Sequence, residues 1–255
     1  MIYNYNNLSS IKLIMLPDFL KFTVIVDDIS QYSRLFPSHG LSIYIELPLS
    51  KGKKLHVMFD TGSNFQILDH NAKILGIRYD LLDYVIISLW RKCHVGGLLT
   101  SLKRKGDMKI IVPPLHTKRS NDKLREKGYL LSSDFKHDVL ELLGPLGDRI
   151  KEYALIVKLR KNLVIFTGCL RFGIEELFKQ LYEKGYTQVH AIVGGLNISI
   201  LDVMTLEYLR KAVEDFQIEI MYPLHSTAPQ ARRIILKNFF DLDMECGVGL
   251  SATIP

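Results

Sequence analysis

The chain has 255 residues, of which 47% are apolar and 24% charged, as expected for a globular protein of one large domain or two small ones. No apolar run reaches about 18 residues, so no membrane-spanning helix is predicted. The formal net charge of +6 is moderate and indicates a solvated basic surface, with an anionic ligand or a nucleic acid as alternatives.

The cysteine pattern and the N-terminal segment predict the cellular setting. The three cysteines are odd in number and far apart, which argues against a disulfide framework: Cys93, Cys169 and Cys246. Residues 11–20 lack the basic start and the small-residue cleavage site of a signal peptide. Both observations predict a reducing, cytoplasmic location.

The first half of the chain is predicted to be rich in strands. We assign residues 1–19 to an N-terminal extension and residues 20–255 to a single domain. Alternating apolar and β-branched residues predict strands over 20–27, 41–47, 55–59, 84–88 and 109–112. Apolar residues at helical spacing predict a helix over 65–75, ended by Gly76, and a short helix over 98–104.

The second half is predicted to alternate between strands and helices. Residues 116–133 are polar and basic and indicate a surface excursion. The patterns predict strands over 139–143, 153–159, 163–167, 188–193 and 218–222, with a terminal strand over 246–250. Helices are predicted over 173–184, 202–216 and 229–239. Two sheets covered by helices on both sides satisfy this order of elements.

The segment Leu89-Trp90-Arg91-Lys92-Cys93-His94 is the strongest candidate for a functional loop. It follows a predicted apolar strand and precedes the pair Gly96-Gly97, which we interpret, like Thr61-Gly62, as turn-forming. Loops just past such strands commonly carry the chemistry of α/β folds.

Several short motifs occur in a fixed order from about residue 20 to the C-terminus. They are Phe59-Asp60-Thr61-Gly62, Gly96-Gly97-Leu98, Thr167-Gly168-Cys169, Gly194-Gly195, His225 with Thr227, and Cys246-Gly247-Val248-Gly249. This order resembles the metallo-β-lactamase fold superfamily, and within it the archaeal and bacterial group of dihydropterin or ribofuranosylaminobenzene-phosphate synthase-like proteins. The resemblance implies an α/β (α+β) fold, a four-layer αβ/βα sandwich.

The chain departs from this superfamily in the residues that hold metal. The superfamily has an HxHxDH motif and later histidines, which bind two metal ions whose shared hydroxide attacks the substrate. Here the motif positions run from Leu89 to His94, and only that last histidine is retained. Arg171 and Asn197 stand where two later histidines are expected, and His225 is kept. A leucine offers no lone pair and a guanidinium does not deprotonate, so the first metal position is predicted to be lost.

Two functional hypotheses follow from this comparison. The preferred one is a pseudoenzyme with a degenerate metal motif and no metal cofactor, which binds an anionic small molecule or a protein partner in the former active-site cleft. The residues predicted to line that cleft are Asp60, Trp90, Arg91, Cys93, His94, Arg171, Asn197 and His225. Arg91 and Arg171 would neutralise a phosphate or carboxylate. The alternative is a metal-dependent hydrolase with one zinc or other divalent transition metal at Cys93, His94 and His225.

Other candidate residues are less specific. The resemblance implies that Asp60 orients metal ligands, whereas without metal it would pair with Arg91 or His94. A nucleophilic role for Cys169 is disfavoured, because the matching family position is not the nucleophile. We interpret the remaining histidines, His39 among them, as surface or core residues. The basic stretch 103–125 lacks interleaved aromatic residues, so nucleic-acid binding is not favoured.

Overall fold

The computed structural model describes residues 15–100, 108–147 and 150–255. In the described part of the chain, the strands are β1 (Leu20–Val26), β2 (Ser42–Pro48), β3 (Lys54–Phe59), β4 (Tyr84–Ile86), β5 (Lys109–Val112), β6 (Leu130–Leu131), β7 (Leu140–Leu146), β8 (Glu152–Lys158), β9 (Leu163–Thr167), β10 (Val189–Gly194), β11 (Ile220–Pro223) and β12 (Ser251–Ile254). The helices are α1 (Phe65–Ile74), α2 (Lys92–Thr100), α3 (Lys118–Glu126), α4 (Ile174–Glu183), α5 (Val203–Asp215) and α6 (Pro229–Phe240).

The strands form two mixed sheets. The first has the order β12-β1-β2-β3-β4-β5-β6, and the second has the order β11-β10-β9-β8-β7. In the first sheet β3 to β6 run parallel, and in the second β9 to β11 run parallel. Because parallel strands end at the same edge of a sheet, the loops after β9, β10 and β11 emerge together.

Three apolar layers hold these elements together. One layer lies between the sheets and is built around buried residues such as Phe22, Phe59 and Phe166. A second layer packs α1, α2 and α3 against the outer face of the first sheet, and includes Leu68 and Val95. The third packs α4, α5 and α6 against the second sheet. The arrangement confirms the expected four-layer αβ/βα sandwich.

The predicted functional loop is shorter than expected. Helix α2 begins at Lys92, so the predicted helix start at residue 98 is wrong, and residues 101–104 of that prediction lie outside the described residues. Gly96 and Gly97 are helical and do not form a turn. An added Cβ would lie 2.4 Å from the carbonyl oxygen of Ser63 at Gly96, and 2.4 Å from that of Thr61 at Gly97. These glycines therefore allow the helix to pack directly on the chain that follows β3.

The predicted terminal strand is also wrong. Residues 246–250 form a turn, and the last strand is β12, which pairs with β1. Gly249 has a φ of +90°, which favours glycine, and Val248 donates its backbone N–H to the carbonyl of Ile29. The turn therefore lies against the segment that follows β1.

Two further predictions concern the surface and the N-terminus. The basic excursion contains α3, which begins after the capping residue Thr117. Most of the N-terminal extension lies outside the described residues; of residues 15–19, Pro17 accepts a hydrogen bond from the backbone of Arg160. Among the described helices, none has the length and hydropathy that a membrane span requires.

Candidate metal centre

The candidate site is built where loops from both sheets meet. His94 lies in the first turns of α2, after β4, and Cys169 follows β9 of the second sheet. His225 follows β11, and Asp28 follows β1. The fold therefore brings residues from four separate parts of the sequence to one place.

Thiol and imidazole groups converge in this site. Nε2 of His94 lies 3.0 Å from Sγ of Cys169, and the donor atoms of these two residues and His225 all lie within 4.8 Å of one another. A second group consists of His39, Cys93 and His225, also within 4.8 Å, so the two groups share His225. Cys93 belongs only to the second group, and His94 and Cys169 belong only to the first.

A carboxylate fixes each of the three imidazoles through the same ring nitrogen. Nδ1 of His94 lies 2.7 Å from Oδ2 of Asp60, and Nδ1 of His225 lies 2.8 Å from Oδ2 of Asp28. Nδ1 of His39 lies 3.1 Å from the other oxygen of Asp28. An imidazole whose Nδ1–H donates to a carboxylate keeps the lone pair of Nε2 free, which is the tautomer that binds a metal through Nε2.

Asp60 is itself held rigidly. Its Oδ1 accepts a hydrogen bond of 2.7 Å from the backbone N–H of Ser88, and its Oδ2 accepts one of 2.7 Å from the Ser88 hydroxyl. The side chains of Asp60 and His94 are fully buried. Asp60 has a φ of +60°, an uncommon conformation for a residue other than glycine. The orientation of His94 is therefore set by a carboxylate that has little freedom to move.

Glu152 shapes the loop that carries Cys169. Its Oε1 accepts hydrogen bonds from the backbone N–H groups of Cys169 and Leu170, at 2.7 and 2.8 Å, and its Oε2 accepts one from Arg171 at 3.0 Å. Gly168 is required just before this turn, because an added Cβ would lie 2.2 Å from the hydroxyl oxygen of Ser88. Sequence reasoning missed this fully buried carboxylate.

A buried ion pair holds the loops of Asp28 and His225 together. Arg232 of α6 donates to both oxygens of Asp27, at 2.6 and 3.3 Å. The same guanidinium donates to the carbonyl oxygens of Thr227 and Cys246, at 2.8 and 3.0 Å. One side chain thereby joins the end of β1, the loop after β11 and the C-terminal turn.

Neighbouring groups shift the pKa values of both buried histidines upwards and that of Cys93 downwards. Burial opposes the charged form of His94, but Asp60 outweighs it and raises the pKa of His94 to about 10. Burial also opposes protonation of His225, and its hydrogen bonds to Asp28 and Cys93 raise its pKa to about 8. The hydrogen bond from Cys169 and the contacts with the two histidines lower the pKa of Cys93.

The structure brings together half of the residues predicted for the cleft. The cluster described above contains Asp60, Cys93, His94 and His225. Asp60 pairs with His94, which is one of the two partners predicted for it, the other being Arg91.

The other four predicted residues have different surroundings. Arg91 and Arg171 are exposed, as is Asn197, whose backbone N–H donates to the Ser226 hydroxyl. The indole N–H of Trp90 donates to the carbonyl of Pro113, at 2.6 Å, and the ring packs on the apolar layer of the first sheet.

Sequence reasoning missed four residues of the site. Cys169 was considered only as a nucleophile, although its place after a strand of the predicted second sheet was a signal that it shares an edge with His225. His39 was interpreted as a surface or core residue. Its side chain is 76% exposed, yet its ring lies 4.8 Å from that of His225. No spacing rule in the sequence indicated Asp28 or Glu152.

The donor set fits a thiophilic transition-metal ion. Thiols and buried imidazoles are side chains that zinc prefers, and the carboxylates of Asp60 and Asp28 hold the two imidazoles as carboxylates commonly do beside metal-bound histidines. His94, Cys169 and His225 would hold the ion as one donor group, and Cys93, whose own group shares His225, is a candidate fourth ligand.

Comparisons with known proteins agree with the fold. No family model matches the chain. The chain is 24% identical over 272 residues to the 7,8-dihydropterin-6-methyl-4-(beta-D-ribofuranosyl)-aminobenzene-5'-phosphate synthase of Methanocaldococcus jannaschii. The aligned region covers 87% of this chain and 92% of that protein.

Solved structures are similar over nearly the whole chain. The crystal structure of Tm1679, a metal-dependent hydrolase of the β-lactamase superfamily, has a TM-score of 0.69 at 24% identity, covering 91% of this chain and 98% of that one. The metallo-β-lactamase fold protein YhfI from Bacillus subtilis has a TM-score of 0.58 at 14% identity, covering 91% and 99%. The short form of human tRNase Z has a TM-score of 0.54 at 10% identity, covering 92% and 99%. Together with the order of its strands and helices, these similarities show that the chain has the metallo-β-lactamase fold.

Proposed function

We propose that this protein binds a single transition-metal ion, zinc by preference, through Cys93, His94, Cys169 and His225. The observation that carries the proposal is the shared orientation of the two buried imidazoles. Nδ1 of His94 and Nδ1 of His225 each lie within hydrogen-bond distance of a carboxylate. Nε2 of His94 lies 3.0 Å from the sulfur of Cys169. Because carboxylates engage both Nδ1 atoms, the Nε2 atoms are left to bind a metal.

The donor chemistry favours one ion over two. Leu89 stands at the first position of the superfamily motif, is fully buried and offers no lone pair. Arg91, at the third position, is exposed and carries a permanent positive charge. The residues that remain are sufficient for one tetrahedral site.

Four protein ligands would make this a closed site. Two cysteines and two histidines form the set typical of structural zinc, in which no position is left for water. When bound, the ion supplies a cross-link between the two sheets in place of an activated water. Cys93 and His94 belong to the first sheet's side of the site, and Cys169 and His225 to the second sheet's side. A metal-binding pseudoenzyme is thus our preferred function, which revises the expectation of a metal-free protein.

A second candidate function is metal-dependent hydrolysis. His94, Cys169 and His225 form a donor group by themselves, whereas Cys93 belongs to the other group, which contains the exposed His39. Three protein ligands and an open fourth position are typical of catalytic zinc, which activates a bound water. Because the similar proteins carry the names of a synthase and a hydrolase, metal-dependent hydrolysis is the main alternative to the closed metal site.

The metal content of protein purified without chelators tests the proposal. We expect near-stoichiometric zinc in the wild type and in Cys246→Ser, and a large loss in Cys169→Ser and His225→Ala. Cobalt-substituted protein should show thiolate-to-cobalt charge-transfer absorption that weakens when either Cys93 or Cys169 is replaced by serine. A wild type that takes up no metal, and instead binds inorganic phosphate through Arg91 and Arg171, would overturn the proposal in favour of an anion-binding cleft.

Activity separates the two candidates. The closed site predicts no metal-dependent turnover of a phosphodiester or a lactone. If the zinc-loaded wild type hydrolyses either substrate and Cys93→Ser keeps both metal and activity, the site is open and the second candidate is correct.

A further inference from the structure

We propose that a cleft between α4 and α5 binds a small organic cation whose nitrogen atom carries methyl groups. The cleft has a volume of about 490 Å³, which is within the usual range for small-molecule sites. Residues of both helices line it, together with the turn after α4. Among the described residues, none belongs both to this cleft and to the donor groups of the candidate metal centre. The cleft is therefore a site of its own.

The cleft lies at the opposite end of the second sheet from the metal centre. Thr187 and Phe216, both in its wall, come shortly before β10 and β11. Cys169 and His225 instead follow β9 and β11. Because β9, β10 and β11 run parallel, their starts and their ends lie at opposite edges of the sheet. A ligand in the cleft would not contact the metal centre, so its binding can be measured independently of the metal.

Aromatic side chains make up most of the wall. Of the nine described residues that line the cleft, five are aromatic: Phe178, Tyr182, Tyr186, Tyr208 and Phe216. The ring centroid of Phe178 lies 4.9 Å from that of Phe216 and 6.3 Å from that of Tyr208. Tyr182 is 76% exposed, so its ring contributes little to the core. Because the face of an aromatic ring carries negative potential, such a wall favours a cation.

Several of these rings are held in place by the protein itself. The hydroxyl of Tyr186 donates to Oε2 of Glu141 at 2.6 Å. The carbonyl of Phe216 accepts a hydrogen bond of 2.9 Å from the backbone N–H of Val189. Phe178 and Phe216 are buried in the apolar layer that packs the helices on the second sheet. A wall that is already ordered loses little entropy when a ligand binds.

Two carboxylates add negative charge to the cleft. Glu175 and Asp215 both line it and are exposed. Burial raises the pKa of Tyr208, and the negative charges of Glu175 and Asp215 raise it further, so both act on the same ring. Among the described residues of the wall, Lys179 alone carries a positive charge, and it too is exposed. The charged groups of the wall therefore favour a cation over an anion.

The combination of rings and carboxylates selects the kind of cation. A primary ammonium group would leave its N–H groups among rings that accept hydrogen bonds poorly, and this burial would be costly. A nitrogen that carries methyl groups has no such requirement and still interacts with the ring faces through its charge. Carboxylates at the edge of the cleft attract the same charge. A quaternary ammonium group is therefore the ligand that the wall fits best.

Choline and its neutral analogue, in which a carbon atom replaces the nitrogen, test the proposal. The two probes have the same shape and differ in charge. Isothermal titration of the full chain, purified without chelators, measures both affinities. We expect choline to bind roughly 10-fold more tightly, since desolvated contacts between a cation and aromatic rings supply an advantage of that order. Equal affinities, or no binding of choline, would overturn the proposal.

Variants at exposed positions place the binding in the cleft without disturbing the core. Tyr182→Ala and Asp215→Asn should each weaken choline binding by roughly 2- to 5-fold. Lys179→Gln should strengthen it, because the variant removes a competing positive charge. Glu214→Gln is the matched control, since Glu214 is an exposed carboxylate on the same helix as Asp215 but lies outside the wall. Choline affinities that are unchanged in both Tyr182→Ala and Asp215→Asn would show that choline binds elsewhere and would refute the assignment of the cleft.

Discussion

Oδ2 of Asp28 lies 2.8 Å from Nδ1 of His225, although one residue follows the first strand and the other follows the eleventh. The other oxygen of the same carboxylate is 3.1 Å from Nδ1 of His39. Asp28 therefore determines which nitrogen each imidazole presents to the cluster of thiols. A residue that touches no ion can in this way decide whether an ion binds.

Replacing Asp28 with asparagine should weaken zinc binding by about 10- to 100-fold, the usual cost of losing a carboxylate that orients a metal-bound histidine. The asparagine keeps the shape but removes the charge that favours Nδ1–H on His225. The affinity is measured by competition with a chromophoric chelator. Asp18→Asn is the control, because Asp18 pairs with Arg160 at the surface, where the side chains are 62% and 58% exposed. Equal affinities in both variants would contradict the role of Asp28.

Arg232→Met should lower the free energy of unfolding by about 3–5 kcal/mol, because it leaves the buried carboxylate of Asp27 without its partner. The neighbouring Arg233 is exposed, so Arg233→Met serves as the control and should change stability by less than about 0.5 kcal/mol. Urea unfolding of the two variants measures the difference. Similar values for both would show that the ion pair contributes little.

The layers of this fold could be predicted from local patterns, because buried strands and amphipathic helices place apolar residues at regular spacings in the sequence. The patterns over Leu163–Thr167 and Pro229–Phe240 predicted the elements to within one residue. Helix α2 could not be predicted in the same way. Its Gly96-Gly97 pair is typical of a turn. The glycines are needed because the backbone of Ser63 and Thr61, which lie in a separate segment, leaves no room for a side chain at either position.

The candidate site was predictable only in part for a related reason. Cys93, His94 and His225 could be found because they align with a known motif. Asp28 and His39 act through contacts between distant segments, and a lone aspartate or histidine in a loop has no pattern of its own. Arg91 was expected to face the cleft because of its motif position, yet it is exposed just before the helix begins. A motif fixes the order of residues but does not fix where each side chain points.

Gly96→Ala should destabilise the protein, although alanine in a helix interior is normally favoured over glycine by about 0.5–1 kcal/mol. The new methyl group would lie 2.4 Å from the Ser63 carbonyl oxygen, and backbone cannot move aside as a flexible side chain can. Because Cys93 and His94 lie on the same helix, zinc affinity should fall as well. Thermal unfolding and chelator competition measure the two effects. A stabilised variant with unchanged affinity would show that α2 can shift without cost.

Glu141→Gln should remove part of the acid sensitivity of the fold. Burial opposes the charge on Glu141, but hydrogen bonds from Lys158, Lys184 and Tyr186 outweigh it and lower its pKa to about 2, from 4.5. Stability from a lowered carboxyl pKa is fully present above pH 4.5 and is lost as the pH falls towards 2. The variant should therefore be less stable than the wild type at neutral pH, and the two should converge in acid. Urea unfolding from pH 7 to pH 3 measures this, with Asp241→Asn, which removes a solvent-exposed ion pair to Lys237, as the control. Parallel curves for wild type and Glu141→Gln across that range would show that Glu141 is not held as an ion by these three neighbours.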